Sequence, residues 1–379
     1  MKPFALLTLI LMLTNCLGCL NTPNGDDPDT TNTEESLGLL WEYEYDYQGW
    51  GPRAMPKLVG DSLILMTGDQ FISCIYADSG LVKWQYPLPG ENESKIRHLL
   101  FDDTQFYGWQ QSIGNRVFAL DIQTGLENWS VDSCGYIFRH GLSQNYYYAP
   151  YYNKLHKFSL DGIVSDTINS DHSFLIASSF EGKVYGSQSW SPKGNPKSVG
   201  RIICYDEETM DSLWAHNEPG GSLAMCYPVF EDDILYVGTI WGANNKVLAL
   251  NAETGEVIWE NGSNSISAIK VLLAGDILYV ETGASVRALN KETGSQIWRS
   301  NLPNPDESPT LCYLDGYIYI ENYGRLYILD ANTGEGVHSM RGPDNASVEQ
   351  VSTGSGKIFV QSTQHLYAFS PYDPEKDTD

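Results

Sequence analysis

Histidine is the first residue type to examine for acid–base or metal chemistry. The chain has seven: His98, His140, His156, His172, His216, His338 and His365. They are scattered, with no HExxH or HxH spacing, so no pair is set up as a zinc ligand set. GxSxG and P-loop motifs are absent. Beyond residue 20 five cysteines remain, Cys74, Cys134, Cys204, Cys226 and Cys312. An odd number cannot all pair, and no CxxC or adjacent pair occurs among them, so they read as buried core thiols. The stretch GDDPDTTN, 25–32, has carboxylates without the spacing of a calcium loop. No catalytic residue, metal or cofactor is expected from these groups.

The totals narrow the partners. Of 379 residues, 48 are Asp or Glu and 23 are Lys or Arg, a net charge of -25. Such a surface repels phosphate backbones and anionic lipid heads, which argues against nucleic acid. Apolar content of 42% supports a large core, and 35 Gly with 24 Tyr suit many short strands and tight turns. Lys2 followed by the apolar run Phe4 to Leu13 has the form of a signal peptide and is too short to span a bilayer. Gly18 and Cys19 then resemble a bacterial lipoprotein box, with Cys16 where that pattern usually has Leu. The resemblance implies cleavage before Cys19, a lipid on its sulfur and, with Leu20 next, an outer-membrane address. The polar, acidic run Asn21 to Ser36 reads as a flexible tether. The expected organisation is a signal peptide (1–18), a tether (19–38), one folded domain (39–372) and a polar tail (373–379).

One phrase recurs through that domain. LNAETGEVIW ends at Trp259 and LNKETGSQIW at Trp298. Further copies end at Trp84, Trp129 and Trp214, the last with Met210 where the others have Gly. One copy ends at His338, and a worn one, FSLDGIVSD, has Asp166 at the Trp position. The step between copies is about 42 residues, inside the range of propeller blades. Each copy reads as a doubly buried strand, a tight turn in which Gly takes a positive φ, and an alternating strand. Two further strands precede each copy, as in the DDILYVGT of residues 232–239. The chain ends without an outer, Trp-bearing strand, whereas LLWEYEY, 39–45, is an orphan strand carrying Trp41. The first strand is therefore expected to complete the last blade. Trp-equivalent positions 41, 84, 129, 166, 214, 259, 298 and 338 predict an all-β, eight-bladed propeller of four-stranded antiparallel blades.

The Asp/Asn-x-x-Thr-Gly-x-x-x-Trp spacing resembles the pyrroloquinoline-quinone (PQQ) repeat, over residues 39 to 370. That family includes quinoprotein alcohol dehydrogenases and the barrel-assembly lipoprotein BamB. The resemblance implies that Trp41, Trp84, Trp129, Trp214, Trp259 and Trp298 dock blade to blade beside turns shaped by Gly80, Gly125, Gly255, Gly294 and Gly334. It does not imply a bound quinone. The dehydrogenases are much longer and carry an adjacent Cys pair that this chain lacks.

A partner surface is then expected in the loops between second and third strands, because loops on a rigid frame commonly carry function. The long ones hold Trp109, Trp190 and Trp241, and the worn repeat adds Tyr151 and Tyr152. Exposed aromatic side chains give contact area at small entropic cost, which suits peptide or sugar. The sequence therefore points to a monomeric, lipid-anchored binding or scaffold propeller of the bacterial envelope. A BamB-like role in outer-membrane protein assembly is one form of it; glycan binding at the cell surface is another. A quinone-dependent enzyme is opposed by length and the missing cysteines.

Overall fold

The computed structural model describes residues 37–376 apart from 46–54, 61–62, 68–70, 90–94, 112–114, 133, 135–139, 191–198, 220–227, 240–245, 263–269 and 304–309. The signal region with Cys19, the tether up to Ser36, Cys226 and Trp241 lie outside the described residues. The described strands form four-stranded antiparallel sheets. In each, the first strand is innermost, and most neighbouring sheets touch through these inner strands; the Trp-bearing strand is outermost.

The sheet order divides the eight expected blades into two kinds, seven blades of consecutive strands and one composite sheet. Seven blades are each made of four consecutive strands, from blade 1 (Lys57–Val59 to Val82–Pro87) to blade 7 (Thr310–Leu314 to Gly336–Met340). The remaining four-stranded sheet is a composite of the two ends of the domain. Three strands, Val348–Gly354, Lys357–Ser362 and His365–Phe369, are completed by Leu39–Glu44. Here it is called the closing sheet. The pairing places Leu39 opposite Phe369 and Tyr43 opposite Leu366. Gly38 and Ser370 fasten the junction twice, by N–H to Oγ at 3.1 Å and by the Ser370 N–H to the Gly38 carbonyl at 2.9 Å. Pairing the first strand with the last removes two exposed sheet edges.

The core lies between blades. Third strands such as Arg116–Asp121 bury four consecutive residues because both of their faces are covered. Val117 and Ala119 pack toward blade 3, while Phe118 and Leu120 pack toward blade 1. The turn that follows is held by its first side chain. Asp121 Oδ1 accepts the Gln123 and Thr124 N–H groups at 3.0 and 2.8 Å. Asp206, Asn251, Asn290 and Asp330 repeat this arrangement.

At six junctions a Trp joins the turn to the sheet before it. Trp41 Nε1 donates to the Ala77 carbonyl at 3.1 Å, Trp84 to Ile122 at 3.0 Å, and Trp129 to Leu160 at 2.8 Å. Trp214, Trp259 and Trp298 do the same with Ala252, Lys291 and Ala331 at 2.9 to 3.0 Å. The ring lies flat on the turn glycine. At Gly80, with φ of 72°, an added Cβ would come within 2.6 Å of the Trp41 ring. Gly125, Gly255, Gly294 and Gly334 are equally close to Trp84, Trp214, Trp259 and Trp298. So is Gly162, in the worn repeat, to Trp129. Both the positive φ and the pressing ring demand glycine there. His338, at the Trp position of blade 7, meets no such turn, because the closing sheet takes its fourth strand from the other end of the domain. Its ring packs 5.9 Å from Tyr372 instead.

Candidate functional site

The loops between second and third strands and the connectors between blades share one face; the Gly turns lie on the other. On the first face the structure gathers an aromatic and cationic patch at blades 3 and 4. Trp190 is the last residue of the strand Lys183–Trp190 and is half-buried. His172, from the connector between the two blades, stacks on it with centroids 4.1 Å apart and planes 3° from parallel. The Arg201 guanidinium sits 4.8 Å from the same indole, and its Nε donates to Asn217 Oδ1 at 2.7 Å. Gln188 fixes the connector by donating Nε2 to Ser170 Oγ at 2.7 Å.

Tyr151 ends the strand Tyr146–Tyr151, and Tyr152 follows in a tight turn with φ of 48°. That backbone turns the Tyr152 ring outward, leaving it 61% exposed beside Tyr151 at a centroid separation of 4.8 Å. The Tyr152 carbonyl accepts the Phe174 N–H at 2.6 Å, two residues beyond His172. One hydrogen bond thus ties the Tyr pair to the His172–Trp190 stack. Of the rim residues, Tyr151, Tyr152 and Trp190 are brought together. Trp241 lies outside the described residues.

Trp109 does not join them. The loop assignment is corrected: Trp109 lies within the strand Gln105–Gln111, opposite Val117, and is fully buried. The strand runs further than the loop reading supposed. Its alternation then sends Trp109 to the same side as Tyr107, into the core shared with Tyr147 and Phe158. Sequence reading missed His172 and Arg201. Neither belongs to the repeat, and only contact across loops identifies them.

Next to the patch, Glu218 accepts contacts from Lys246 Nζ at 3.0 Å and His216 Nε2 at 3.5 Å. Burial pushes the Glu218 carboxyl up, but hydrogen bonds from His216 and Lys246 and their charges outweigh it and hold it below the usual carboxylate range. The opposite face carries a cleft of about 470 Å³ between blades 2 and 3, beside Gln105, Asp121, Asn128, Trp129 and Asp161. Its cause is local: the blade 3 turn, Ser159 to Gly162, is one residue shorter than Asp121 to Gly125 in blade 2. Burial pushes the Cys74, Cys204 and Cys312 thiols up to about 12 and Cys134 to about 11. Among the described residues no three His, Cys, Asp or Glu side chains cluster as a metal site.

The family described as outer membrane protein assembly factor BamB matches residues 198–368. No curated protein sequence matches the chain. Among solved structures, BamB from Moraxella catarrhalis superposes with a TM-score of 0.68 at 15% identity, covering 88% of this chain and 99% of that one. The computationally designed Ika8 protein gives 0.66 at 13% identity, over 86% and 98% of the two chains. The C-terminal WD40 domain of Sif2 gives 0.67 at 10%, over 89% and 98%. At these identities the structural likenesses speak to fold. The sheet order and the structural likenesses agree on a β-propeller, and within it residues 198–368 are similar to the BamB family.

Proposed function

We propose that this protein is a non-catalytic, lipid-anchored scaffold of the bacterial outer membrane, attached through Cys19 and binding another envelope protein through the blade 3 and 4 patch. The observation that carries this reading is the grouping of Tyr151, Tyr152, His172, Trp190 and Arg201 on one loop face. Strand residues, a tight turn and a connector hold these groups in place before any partner arrives. Large, pre-positioned rings and an arginine are the side chains that dominate protein interfaces. The BamB likeness supports an assembly role for that contact. Catalysis is not part of the reading, which rests on the grouped rings and the arginine rather than on a reactive group.

The test is affinity capture of the lipidated protein from its native envelope after mild cross-linking, beside a Tyr152→Ala/Trp190→Ala variant. A stoichiometric envelope protein that is lost with the variant is the expected result. Recovery of polysaccharide alone, or a partner retained by the variant, overturns it.

A further inference from the structure

The third strand of blade 6, Ser285–Asn290, holds a residue that packing does not explain. Three positions before the turn residue, blade 2 has Phe118, blade 4 Ile203, blade 5 Leu248 and blade 7 Tyr327. Blade 6 has Arg287, only 4% exposed. Its Nη1 donates to Asn261 Oδ1 at 3.0 Å, on the outer strand of blade 5. Asn261 is itself fixed, donating Nδ2 to the Gly294 carbonyl at 2.7 Å. The guanidinium is thereby pinned in the seam between blades 5 and 6.

Among the described residues, Nε and Nη2 of Arg287 have no hydrogen-bond partner. Across the sheet Arg287 is paired with Arg299, a second cation. Burial first, and Arg299 second, lower the Arg287 pKa, yet a guanidinium stays charged in proteins. A buried charge without a counter-ion is among the least favourable arrangements a fold can hold. Among the described residues no carboxylate relieves it. The free donors are also a matched pair. Nε–H and Nη2–H form one side of the guanidinium fork and point in parallel, spaced for two oxygens of a single oxyanion.

We propose that the seam between blades 5 and 6 is a carboxylate-binding site, with the Nε/Nη2 side of Arg287 as its bidentate anchor and the charge of Arg299 adding attraction. Two free donors match the two oxygens of a planar carboxylate. The carboxylate belongs either to a free small acid or to an acidic side chain of a bound polypeptide. This site is separate from the blade 3 and 4 patch and stands without it.

Calorimetric titration of the full-length protein with sodium acetate, against sodium chloride at equal ionic strength, tests the proposal. Acetate is expected to bind one to one and to raise the unfolding temperature above that in chloride. Arg287→Lys keeps the charge and loses the fork, and should weaken binding at least about tenfold. Arg287→Met should abolish it; if that variant does not fold, Arg287→Lys still decides. A blocked Gly-Glu-Gly peptide forms the second arm. Tighter binding than acetate assigns the site to an acidic side chain, and binding of acetate alone to a free acid. Equal behaviour in acetate and chloride, or wild-type affinity in Arg287→Lys, overturns the proposal.

Discussion

Lys157 Nζ donates to the main-chain carbonyl of Glu207 at 2.5 Å. That carbonyl occupies the turn position which takes an indole N–H at the Trp41, Trp84, Trp129, Trp214, Trp259 and Trp298 junctions. Blade 3 has exposed Asp166 where the Trp would stand, and Lys157, directly opposite Asp166 across the sheet, reaches the junction instead. Its ammonium also lies 3.8 Å from the Tyr146 ring. With no indole to lie on it, the blade 4 turn needs no glycine, and Met210 adopts φ of 56° there. Two departures from the repeat, Asp166 and Met210, therefore belong to one junction: where no ring presses on the turn, the turn does not require glycine.

This coupling predicts unequal costs for turn substitutions. Gly255→Ala sets a Cβ against the Trp214 ring at a positive φ and should destabilise by about 2–4 kcal/mol. Met210→Gly should change stability by less than about 1 kcal/mol, because no ring presses on that turn. Urea unfolding of both variants measures the difference. Equal losses would mean that the ring contact does not set the glycine requirement.

Lys157→Met keeps the apolar stem and removes the donor. It leaves the Glu207 carbonyl unpaired at a buried junction and should cost about 1–3 kcal/mol. Unfolding by denaturant at neutral pH reads this directly. A neutral outcome would show that the carbonyl finds water instead.

The acid limb of the stability profile follows from Glu218. Its folded pKa lies below its ordinary value of 4.5, so the folded state binds the proton less readily than the unfolded chain. That contribution is fully present above about pH 5 and is lost as pH falls through 4.5 and below. Asp102 acts in the same direction: burial opposes its charge, and hydrogen bonds from Thr104, Tyr107 and Gln105 outweigh it. Glu218→Gln should flatten the fall in unfolding free energy between pH 5 and the folded pKa. An unchanged slope would place the acid sensitivity elsewhere.

The raised thiols predict silence toward reagents. At pH 8 Cys74, Cys134, Cys204 and Cys312 are protonated and buried, and a thiolate-selective reagent should leave them unmodified until the chain unfolds. Peptide mass mapping before and after urea checks this. Labelling of any of the four in the native protein would contradict the packing described.

Much of the frame was legible in the sequence because it depends on local chemistry. Asn or Asp opening a turn, Gly closing it and Trp four residues later each have a local physical role, and repetition amplified the signal. Trp109 differs because the composition around it resembles a loop, and one or two residues of strand decide which way a ring points. The His172–Trp190 stack and the Arg201 contact were invisible for another reason. They join a connector, a second strand and a third strand, and no periodicity encodes them. Arg287 was overlooked inside SVRALN, where a single charge in an apolar strand reads as an exposed residue. Only the side that the strand presents to blade 5 shows it to be buried.

A partner is proposed to meet the loop face of blades 3 and 4. The most direct measurement places a photo-crosslinking benzoylphenylalanine at Tyr152, and in a second protein at Leu126, exposed on the opposite face. Both are irradiated in the native envelope. A covalent adduct with one envelope protein is expected from position 152 and none from 126. No adduct at 152, or the same adduct from both positions, would contradict it.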